Sequence, residues 1–182
     1  MRVIAGTARS LRLKTPEGMD TRPTTDRIKE TLFNMLQPYL GRALFVDLFS
    51  GSGGIGIEAL SRGARHAYFV ENDKRALACI QENLQFTHLA DLATVLKTDV
   101  LSALYGIHEK EADIVFMDPP YDCGYEERAL AALGNMPWVT ENTLIVIETS
   151  LRTDLSFLEN LGFMVEKEKR YKTNRHVFCR KM

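Results

Sequence analysis

From residue 43 onward, short apolar runs alternate with amphipathic segments of helical period. Strand patterns cover residues 43–49, 66–71, 93–99, 112–118 and 142–150, and helical patterns cover 54–63, 73–86, 125–136 and 154–162, with a helical or turn segment reaching residue 108. Two closing strands, 163–172 and 175–181, are joined by a turn near Thr173 and Asn174, which predicts a hairpin. The alternation predicts an α/β fold, a doubly wound and mostly parallel sheet of about seven strands with an antiparallel edge.

The length of 182 residues suits one domain, so we expect a single domain over residues 1–182 with a basic extension at 1–22. Before the first strand, "TRPTTDRIKETLFNML" predicts the start of a helix, because Pro23 precedes threonines that can cap it. No apolar run has membrane-spanning length, and the N-terminal segment lacks the apolar core of a secretory signal.

Cysteine and histidine spacing argues against disulfides and metal sites. The three cysteines are odd in number and far apart, so we expect free thiols in a reducing cytoplasm. The four histidines show no ligand spacing, and we expect no metal.

Charge is segregated along the chain although the net charge is only -1. Residues 1–42 carry eight basic and four acidic side chains, residues 43–164 carry eight and eighteen, and residues 165–182 carry seven and two. Basic ends around an acidic middle suggest that the ends meet a polyanionic partner, while a solvated surface with chance clustering explains the same counts.

A glycine-rich loop follows the first strand, in "DLFSGSGGIG" at 47–56. Gly51, Gly53 and Gly56 satisfy the G-x-G-x-x-G pattern, and Glu71 ends the next strand twenty residues after Gly51. A carboxylate at that distance can accept both hydroxyls of a ribose. The pattern therefore predicts a nucleoside-bearing cofactor, and a nicotinamide dinucleotide fits it as well as S-adenosylmethionine does. A glycine turn needed only for packing is the alternative without a ligand.

The charges near the loop favour S-adenosylmethionine over the dinucleotide. Asp47 lies four residues before the first glycine, where its carboxylate would repel a pyrophosphate. The ammonium and sulfonium groups of S-adenosylmethionine suit an acidic loop, and helix-terminal N–H groups suit its carboxylate. Asp99, which ends the third strand, can accept a hydrogen bond from an adenine amine.

The fourth strand ends abruptly in "FMDPPYD" at 116–122. Adjacent prolines join neither a sheet ladder nor a helix interior, so a plain strand-ending turn is one interpretation. The chemical interpretation is an amine site. Asp118 and the Pro119 carbonyl would accept the two N–H groups of an exocyclic amine, Pro120 would stiffen the bend, and Tyr121 would stack on a flipped-out base. In a doubly wound sheet the first and fourth strands are neighbours, so this motif and the glycine loop would share one crevice.

Taken together, "DLFSGSGGIG", "VEND", "TDV" and "DPPY" resemble an amino-methyltransferase with a Rossmann-like, class I fold. The front segment with "RPTTDR" closely resembles bacterial small-subunit (16S) ribosomal RNA methyltransferases that modify a guanine N2, and the resemblance runs from Arg2 to the closing hairpin. It implies a target-base site at Asp118, Pro119, Pro120 and Tyr121. It also implies a methyl-donor site made of Asp47, Ser50, Gly51, Gly53, Glu71, Asn72, Asp99 and Val100.

If the substrate is RNA, the basic ends of the chain have a predicted role. Grouped cations can bind the phosphates around a splayed base. The residues that we expect to contact nucleic acid are Arg2, Arg9, Arg12, Lys14, Arg22, Thr24, Lys172 and Arg175. We expect a cytoplasmic monomer that makes N2-methylguanosine in 16S ribosomal RNA, within a 30S assembly particle. The alternatives are a DNA adenine-N6 methyltransferase, a non-catalytic RNA-binding assembly protein and, last, a nicotinamide-dependent oxidoreductase.

Overall fold

The computed structural model describes residues 1–16, 25–121 and 123–182. The helices are α1 (Asp26–Leu40), α2 (Gly54–Ser61), α3 (Lys74–Phe86), α4 (Val100–Leu104), α5 (Tyr125–Leu133) and α6 (Phe157–Asn160). The strands are β1 (Leu44–Leu48), β2 (His66–Glu71), β3 (Ala93–Lys97), β4 (Ile114–Met117), β5 (Leu144–Ser150), β6 (Phe163–Arg170) and β7 (Asn174–Lys181). None of the described helices has both the length and the apolar character needed to cross a bilayer.

The strands of the described residues form one sheet in the order β3-β2-β1-β4-β5-β7-β6. The first five strands in the chain pair in parallel, β7 pairs antiparallel with β5, and β6 pairs antiparallel with β7. The predicted doubly wound sheet with an antiparallel hairpin is therefore confirmed. Strand order reverses between β1 and β4, and ligands bind such sheets at the carboxyl ends of the strands beside that reversal.

Helices cover both faces of the sheet, and successive residues of β1 enter opposite apolar layers. Phe45 packs in the layer that contains Phe33 of α1, whereas Val46 packs in the layer that contains Leu130 of α5. All five residues of β1 are buried, as expected for a parallel strand that is covered on both faces. The central strands are thus buried on both faces, and the loops project from the carboxyl edge of this rigid core.

Helix α1 begins where the sequence places a capping threonine. Thr25 is the N-cap, and its hydroxyl accepts a hydrogen bond from the Ile28 N–H at 3.4 Å. The inner face of α1 carries Leu32 and Leu36, which are both fully buried. The part of the predicted segment before Thr25 lies outside the described residues.

The N-terminal segment lies along α2 and α3. Glu58 of α2 accepts hydrogen bonds from the Ile4 N–H at 2.8 Å and the Ala5 N–H at 3.0 Å. Farther along, the Ala8 N–H donates to Ser61 at 3.0 Å, and the Lys14 N–H donates to Asn83 at 2.8 Å. Side chains of the two helices thus satisfy the backbone of this segment, which within the described residues forms one isolated bridge, between Arg2 and Arg12.

A buried ion network joins this segment to α1. The Glu58 carboxylate lies 3.2 Å from the Lys29 ammonium and 2.7 Å from Arg62 Nε, and the side chains of Glu58 and Lys29 are both fully buried. Lys29 also donates to the Arg2 carbonyl at 2.5 Å. Burial lowers the pKa of Lys29, and the adjacent Glu58 carboxylate opposes that shift. Glu58 therefore holds α1, α2 and the N-terminal segment together.

The outer strand β6 contrasts with its neighbour β7. Residues 164–170 of β6 are exposed, whereas Asn174 and residues 176–179 of β7 are buried. Strand β7 is enclosed because it pairs with β5 on one side and with β6 on the other. The last strand in the chain is therefore an interior strand of the sheet.

We expect Glu58→Ala to lower the free energy of unfolding by about 3–5 kcal/mol, because Lys29 would keep a buried charge without its partner. Urea denaturation of the variant and the parent measures the difference. The control is Glu82→Gln, since Glu82 pairs with Lys14 at the exposed surface and its loss should change stability little. Equal stability of the two variants would contradict a structural role for the Glu58 network.

Candidate active site

The two loops that carry the predicted chemistry leave the sheet side by side. Strands β1 and β4 are hydrogen-bonded neighbours, and Leu48 stands opposite Met117 in their parallel register. The glycine loop follows Leu48, and Asp118 follows Met117. The predicted adjacency of the two loops at the carboxyl edge of the sheet is therefore confirmed.

The glycine loop is shaped by two glycines with different roles. Gly53 has φ of 81° and is the N-cap of α2, and its N–H donates to the Ser50 carbonyl at 2.8 Å. Gly56 lies so close to β2 that a Cβ there would be 2.4 Å from the Phe69 ring. Gly53 thus turns the chain, and Gly56 lets α2 pack tightly on the sheet.

Glu71 bridges the end of β2 to the glycine loop. One carboxylate oxygen accepts from the Gly51 N–H at 2.9 Å, and the other accepts from the Asn72 and Asp73 N–H groups, both at 2.8 Å. A carboxylate offers about four acceptor positions, so three are used and one remains. Glu71 therefore keeps one acceptor position for a further donor, and its predicted role in binding a ribose stays a prediction.

Asp99 caps α4 at the end of β3. Its side chain accepts from the Ser102 N–H at 3.1 Å. Asp99 is exposed. Hydrogen bonds from the Ser102 side chain and backbone lower its pKa, which favours the ionised carboxylate. An ionised acceptor of this kind suits an amine donor.

A cavity of about 110 Å³ opens between these strand ends. Glu71, Asn72, Asp99 and Val100 of the predicted donor site line it, together with Pro120 of the target-base motif. The sequence reasoning did not single out the other four lining residues, which are Phe49, Val70, Thr98 and Tyr125. Two of these four residues, Phe49 and Tyr125, are aromatic.

Two of the missed residues contact each other across the crevice. The rings of Phe49 and Tyr125 meet edge to face at 5.6 Å, and Arg128 lies 5.5 Å from the Tyr125 ring centre. Phe49 has φ of 61°, a left-handed conformation that is uncommon for a bulky residue. An aromatic residue inside the glycine loop and another at the first position of α5 were the signals that could have identified them.

Asp47 lies under the glycine loop, away from its mouth. Its side chain is 1% exposed, and its carboxyl accepts from the Gly56 N–H at 2.9 Å. Ser50, which is also buried, donates its hydroxyl to the Asp47 carbonyl at 2.7 Å. Neither residue lines the cavity, so both act on the loop from below. Their predicted role in binding the donor stays a prediction.

Asp118 is half-buried at the bend after β4, with Pro119 buried and Pro120 and Tyr121 exposed. Its carboxyl has no hydrogen bond to any residue that the structure describes. Burial raises the pKa of Asp118 well above its usual range, and the negative charges of Glu148, Asp47 and Glu126 add to the effect. Asp118 is therefore an acceptor with unused positions in an unusually negative setting.

The predicted nucleic-acid contacts occupy two places. The bridge brings Arg2 and Arg12 together, and both line an open cavity of about 520 Å³ with Met1, Ser10 and Asp26. Arg9 is exposed nearby in the chain, Arg2 pairs with Asp26 at 2.7 Å, and Lys14 pairs with Glu82. Arg22 and Thr24 lie outside the described residues.

The second basic place is the tip of the β6–β7 hairpin. Lys172 is exposed there. Arg175 is held internally, because its guanidinium donates to the Thr153 carbonyl at 2.5 Å and to Glu168 at 3.4 Å. Lys172 is thus more available to a partner than Arg175. Among the described residues, no three His, Cys, Asp or Glu side chains are grouped so as to hold a metal ion.

Comparison with known proteins gives consistent matches. The family described as "Conserved hypothetical protein 95" matches residues 1–180. A protein of Haemophilus influenzae named ribosomal RNA small subunit methyltransferase D is 37% identical over 169 residues, covering 92% of this chain and 88% of the relative. The Escherichia coli protein of the same name is 37% identical over 155 residues, covering 85% and 77%.

Solved structures agree with these relatives. A candidate methyltransferase from Escherichia coli has a TM-score of 0.83 at 32% identity, with 100% of this chain and 97% of the other covered. A candidate methylase from Haemophilus influenzae has a TM-score of 0.81 at 33% identity, with 100% and 98% covered. The predicted Rossmann-like class I methyltransferase fold and the resemblance to bacterial small-subunit ribosomal RNA methyltransferases are confirmed. The guanine N2 specificity stays a prediction.

We expect Asp47→Asn to flatten the pH dependence of stability. Burial raises the pKa of Asp47 from 3.8 to about 7, so between these values the folded protein keeps a proton that the unfolded chain has lost. The free energy of unfolding should therefore fall as pH rises through this window, by up to about 1.4 kcal/mol per pH unit for this group. Urea denaturation from pH 4.5 to 8 tests it, and parallel curves for parent and variant would refute the assignment.

Proposed function

The chain belongs to the Conserved hypothetical protein 95 family, and from this premise we propose that it transfers a methyl group from S-adenosylmethionine to the exocyclic N2 of a specific guanine in 16S ribosomal RNA. Relatives named as small-subunit ribosomal RNA methyltransferases support methyl transfer to ribosomal RNA. The observation that carries the finer proposal is the pairing of β1 with β4, because it puts the Asp118 bend beside the glycine loop.

The residues around the smaller cavity fit S-adenosylmethionine. Glu71 and Asp99 place two carboxylates at its rim, where they can accept ribose hydroxyls and an adenine amine, and Phe49, Val70 and Val100 supply apolar contact for the purine. None of the nine residues that line this cavity is basic, so the pyrophosphate of a nicotinamide dinucleotide would have no cationic partner among them. The fit therefore favours a cationic donor over a dinucleotide.

At the target-base site, Asp118 and the Pro119 carbonyl would each accept one N–H of the exocyclic amine. The two acceptors would draw the amine out of conjugation with its ring and aim its lone pair at the donor. Pro119 is buried and adjoins a second proline, so its carbonyl is held stiffly. Tyr121 is exposed beside them and can stack on a base that has left its helix.

When bound, S-adenosylmethionine supplies an electrophilic methyl group whose C–S bond breaks with the electron pair retained by sulfur. The amine nitrogen forms the new N–C bond with its own lone pair and becomes cationic. One N–H proton then leaves to restore a neutral amine, and the ionised form of Asp118 can accept it. Orientation and a negative setting suffice for this chemistry, because the proton departs after the nitrogen has become positively charged.

Arg2 of the first basic place and Lys172 of the second lie near the carboxyl edge where the crevice opens. The Met1 sulfur lies 2.0 Å from the point where a Cβ would stand at Gly54, so Met1 and Arg2 adjoin the start of α2. At the other side, Asn174 pairs with Ser150 at the end of β5, which places Lys172 of the hairpin tip at the same edge. A ribosomal RNA lying across this edge would meet cations on both sides of the crevice.

The proposed substrate is the RNA of a 30S assembly particle, met by a monomer in the cytoplasm where ribosomes are made. Residues 1–22 are proposed as its RNA-binding extension within a single domain of 182 residues. A DNA adenine-N6 methyltransferase is the second candidate, because a bend of sequence D-P-P-Y serves either amine. A non-catalytic assembly protein is the third, and it predicts no binding of S-adenosylmethionine.

Radiolabelled methyl transfer discriminates among these candidates. The protein is incubated with methyl-labelled S-adenosylmethionine and one substrate at a time. The substrates are 16S ribosomal RNA, partly assembled small subunits and DNA, and the nucleosides of each are then analysed. We expect labelled N2-methylguanosine from the small-subunit RNA. Label found only as N6-methyladenine supports the DNA enzyme instead, and no transfer together with no donor binding supports the assembly protein.

Replacement of Asp118 tests the proposed mechanism. We expect Asp118→Ala to lower kcat at least about 10²–10³-fold, because the amine loses the acceptor that orients it. The affinity for S-adenosylmethionine, measured by calorimetry, should stay largely intact because Asp118 does not line the cavity. Glu71→Gln is the matched variant, since it should weaken donor binding while Asp118 is unchanged. An unaltered rate in Asp118→Ala would remove this carboxyl from the mechanism.

A further inference from the structure

A buried carboxylate that the mechanism above does not use lies next to Asp118. Met117 of β4 stands opposite Ile147 of β5, so Asp118 and Glu148 follow paired residues on adjacent strands. Glu148 is 4% exposed. Among the neighbouring charges that raise the pKa of Asp118, that of Glu148 has the largest effect. A carboxylate enclosed beside another carboxylate is costly, so its retention requires specific partners.

Those partners come from the C-terminal hairpin. Asn174 donates its side-chain N–H to one Glu148 oxygen at 2.6 Å, and the other oxygen lies 2.9 Å from His176 Nε2. The remaining His176 nitrogen lies 3.1 Å from the Tyr171 hydroxyl. These contacts are mutually satisfied when Tyr171 donates to Nδ1 and Nε2–H donates to Glu148. A continuous chain of hydrogen bonds thus runs from the hairpin tip to Glu148.

His176, the central member of this hydrogen-bonded series, is also tightly packed. His176 is fully buried, and its ring meets the rings of Phe116 at 6.3 Å and Tyr171 at 5.0 Å, both edge to face. Phe116 belongs to β4, two residues before Asp118. His176 therefore touches both the strand that carries Asp118 and the carboxylate beside it. Tyr171, at the outer end, is half-buried next to exposed Lys172.

Resting on the proposed function, we propose that Glu148 is a positioning residue of the target-base site. Glu148 links the tip of the β6–β7 hairpin to Asp118 and sets the electrostatic environment of the Asp118 carboxyl. Glu148 keeps a negative charge behind Asp118 while its own oxygens are held by Asn174 and His176. The amine becomes cationic as it accepts the methyl group, and a fixed negative charge nearby favours that state over the neutral one. Because Lys172 adjoins Tyr171, an RNA bound at the tip would contact the same support.

The charges that face Asp118 come from three elements, and each contributes in the same direction. They are Glu148 on β5, Asp47 on β1 and Glu126 on α5, and the last accepts a hydrogen bond from Thr149 at 2.8 Å. Removing one negative charge stabilises the ionised form of Asp118 relative to its neutral form. Replacement of Glu148 by an amide should therefore lower the pKa of Asp118, although Asp47 and Glu126 remain.

The test is Glu148→Gln, which keeps the size of the side chain and removes its charge. We expect kcat to fall roughly 10–100-fold, with the KM for RNA and the affinity for S-adenosylmethionine within about 3-fold of the parent. The acid limb of kcat/KM should move to lower pH, because the pKa of Asp118 falls. A carbon-13 NMR titration of the Asp118 carboxyl in the protein alone should show the same movement.

Two further variants complete the test. Glu166→Gln removes a carboxylate from the same hairpin, where it pairs with Arg180 at 2.9 Å near the surface, and it should leave kcat and the titration unchanged. Tyr171→Phe removes only the outer hydroxyl of the hydrogen-bonded chain, and we expect roughly a 3-fold lower kcat with unaltered donor affinity. It also provides a measurement if Glu148→Gln fails to fold, and an unchanged kcat in Tyr171→Phe would overturn the coupling to the hairpin tip.

The results separate this inference from the proposed function. A folded Glu148→Gln variant with an unchanged kcat and an unchanged Asp118 titration would overturn the role of Glu148 while leaving the methyltransferase proposal intact. A parent protein that methylates no RNA would overturn the proposed function, and the NMR titration would still decide whether Glu148 sets the ionisation of Asp118. A shift of the titration to lower pH supports the effect of Glu148 on the ionisation of Asp118 in either case.

Discussion

The parallel pairing of β1 with β4 is the contact on which the candidate site depends. It joins the strand that leads into the glycine loop to the strand that leads into the Asp118 bend. In the proposed reaction, neither loop alone could present an amine to a methyl donor, because each supplies only one side of the crevice. The packed layers on both faces of the sheet hold the two strand ends at a fixed separation, which is the kind of preorganisation that group transfer requires.

Buried charge is used differently on the two sides of the sheet. On the side of α1 and α2, Glu58 is matched by Lys29 and Arg62, so that network stabilises the docking of the N-terminal segment. Around Asp118, the carboxyls of Glu148, Asp47 and Glu126 lie close enough to raise its pKa, and among the described residues no Lys or Arg forms an ion pair with them. Such an unbalanced group lowers stability, and its persistence at the mouth of the crevice fits a site that must accommodate a cation.

The local patterns predicted much of the molecule, because alternating apolar runs and turn residues act over short distances. The strand at 66–71 matches β2 at both ends, and the position of Asp118 beside the glycine loop followed from the topology of doubly wound sheets. The inward orientation of Asp47 could not be predicted, since it depends on how α2 packs on β2. Glu148 was also missed, because its hydrogen bonds come from residues 26 and 28 positions later in the chain.

The strand order places β7 between two strands that precede it in the chain. Strand β7 enters between β5 and β6, so a strand synthesised after both of its neighbours closes the ladder from within. Contacts between distant segments form slowly, because each requires a long loop to be closed first. A nascent chain that has emerged only as far as β6 would have a complete glycine loop and a complete Asp118 bend but no Asn174 or His176. The support for Glu148 is therefore added only when β7 joins the sheet, after both loops of the crevice have been synthesised.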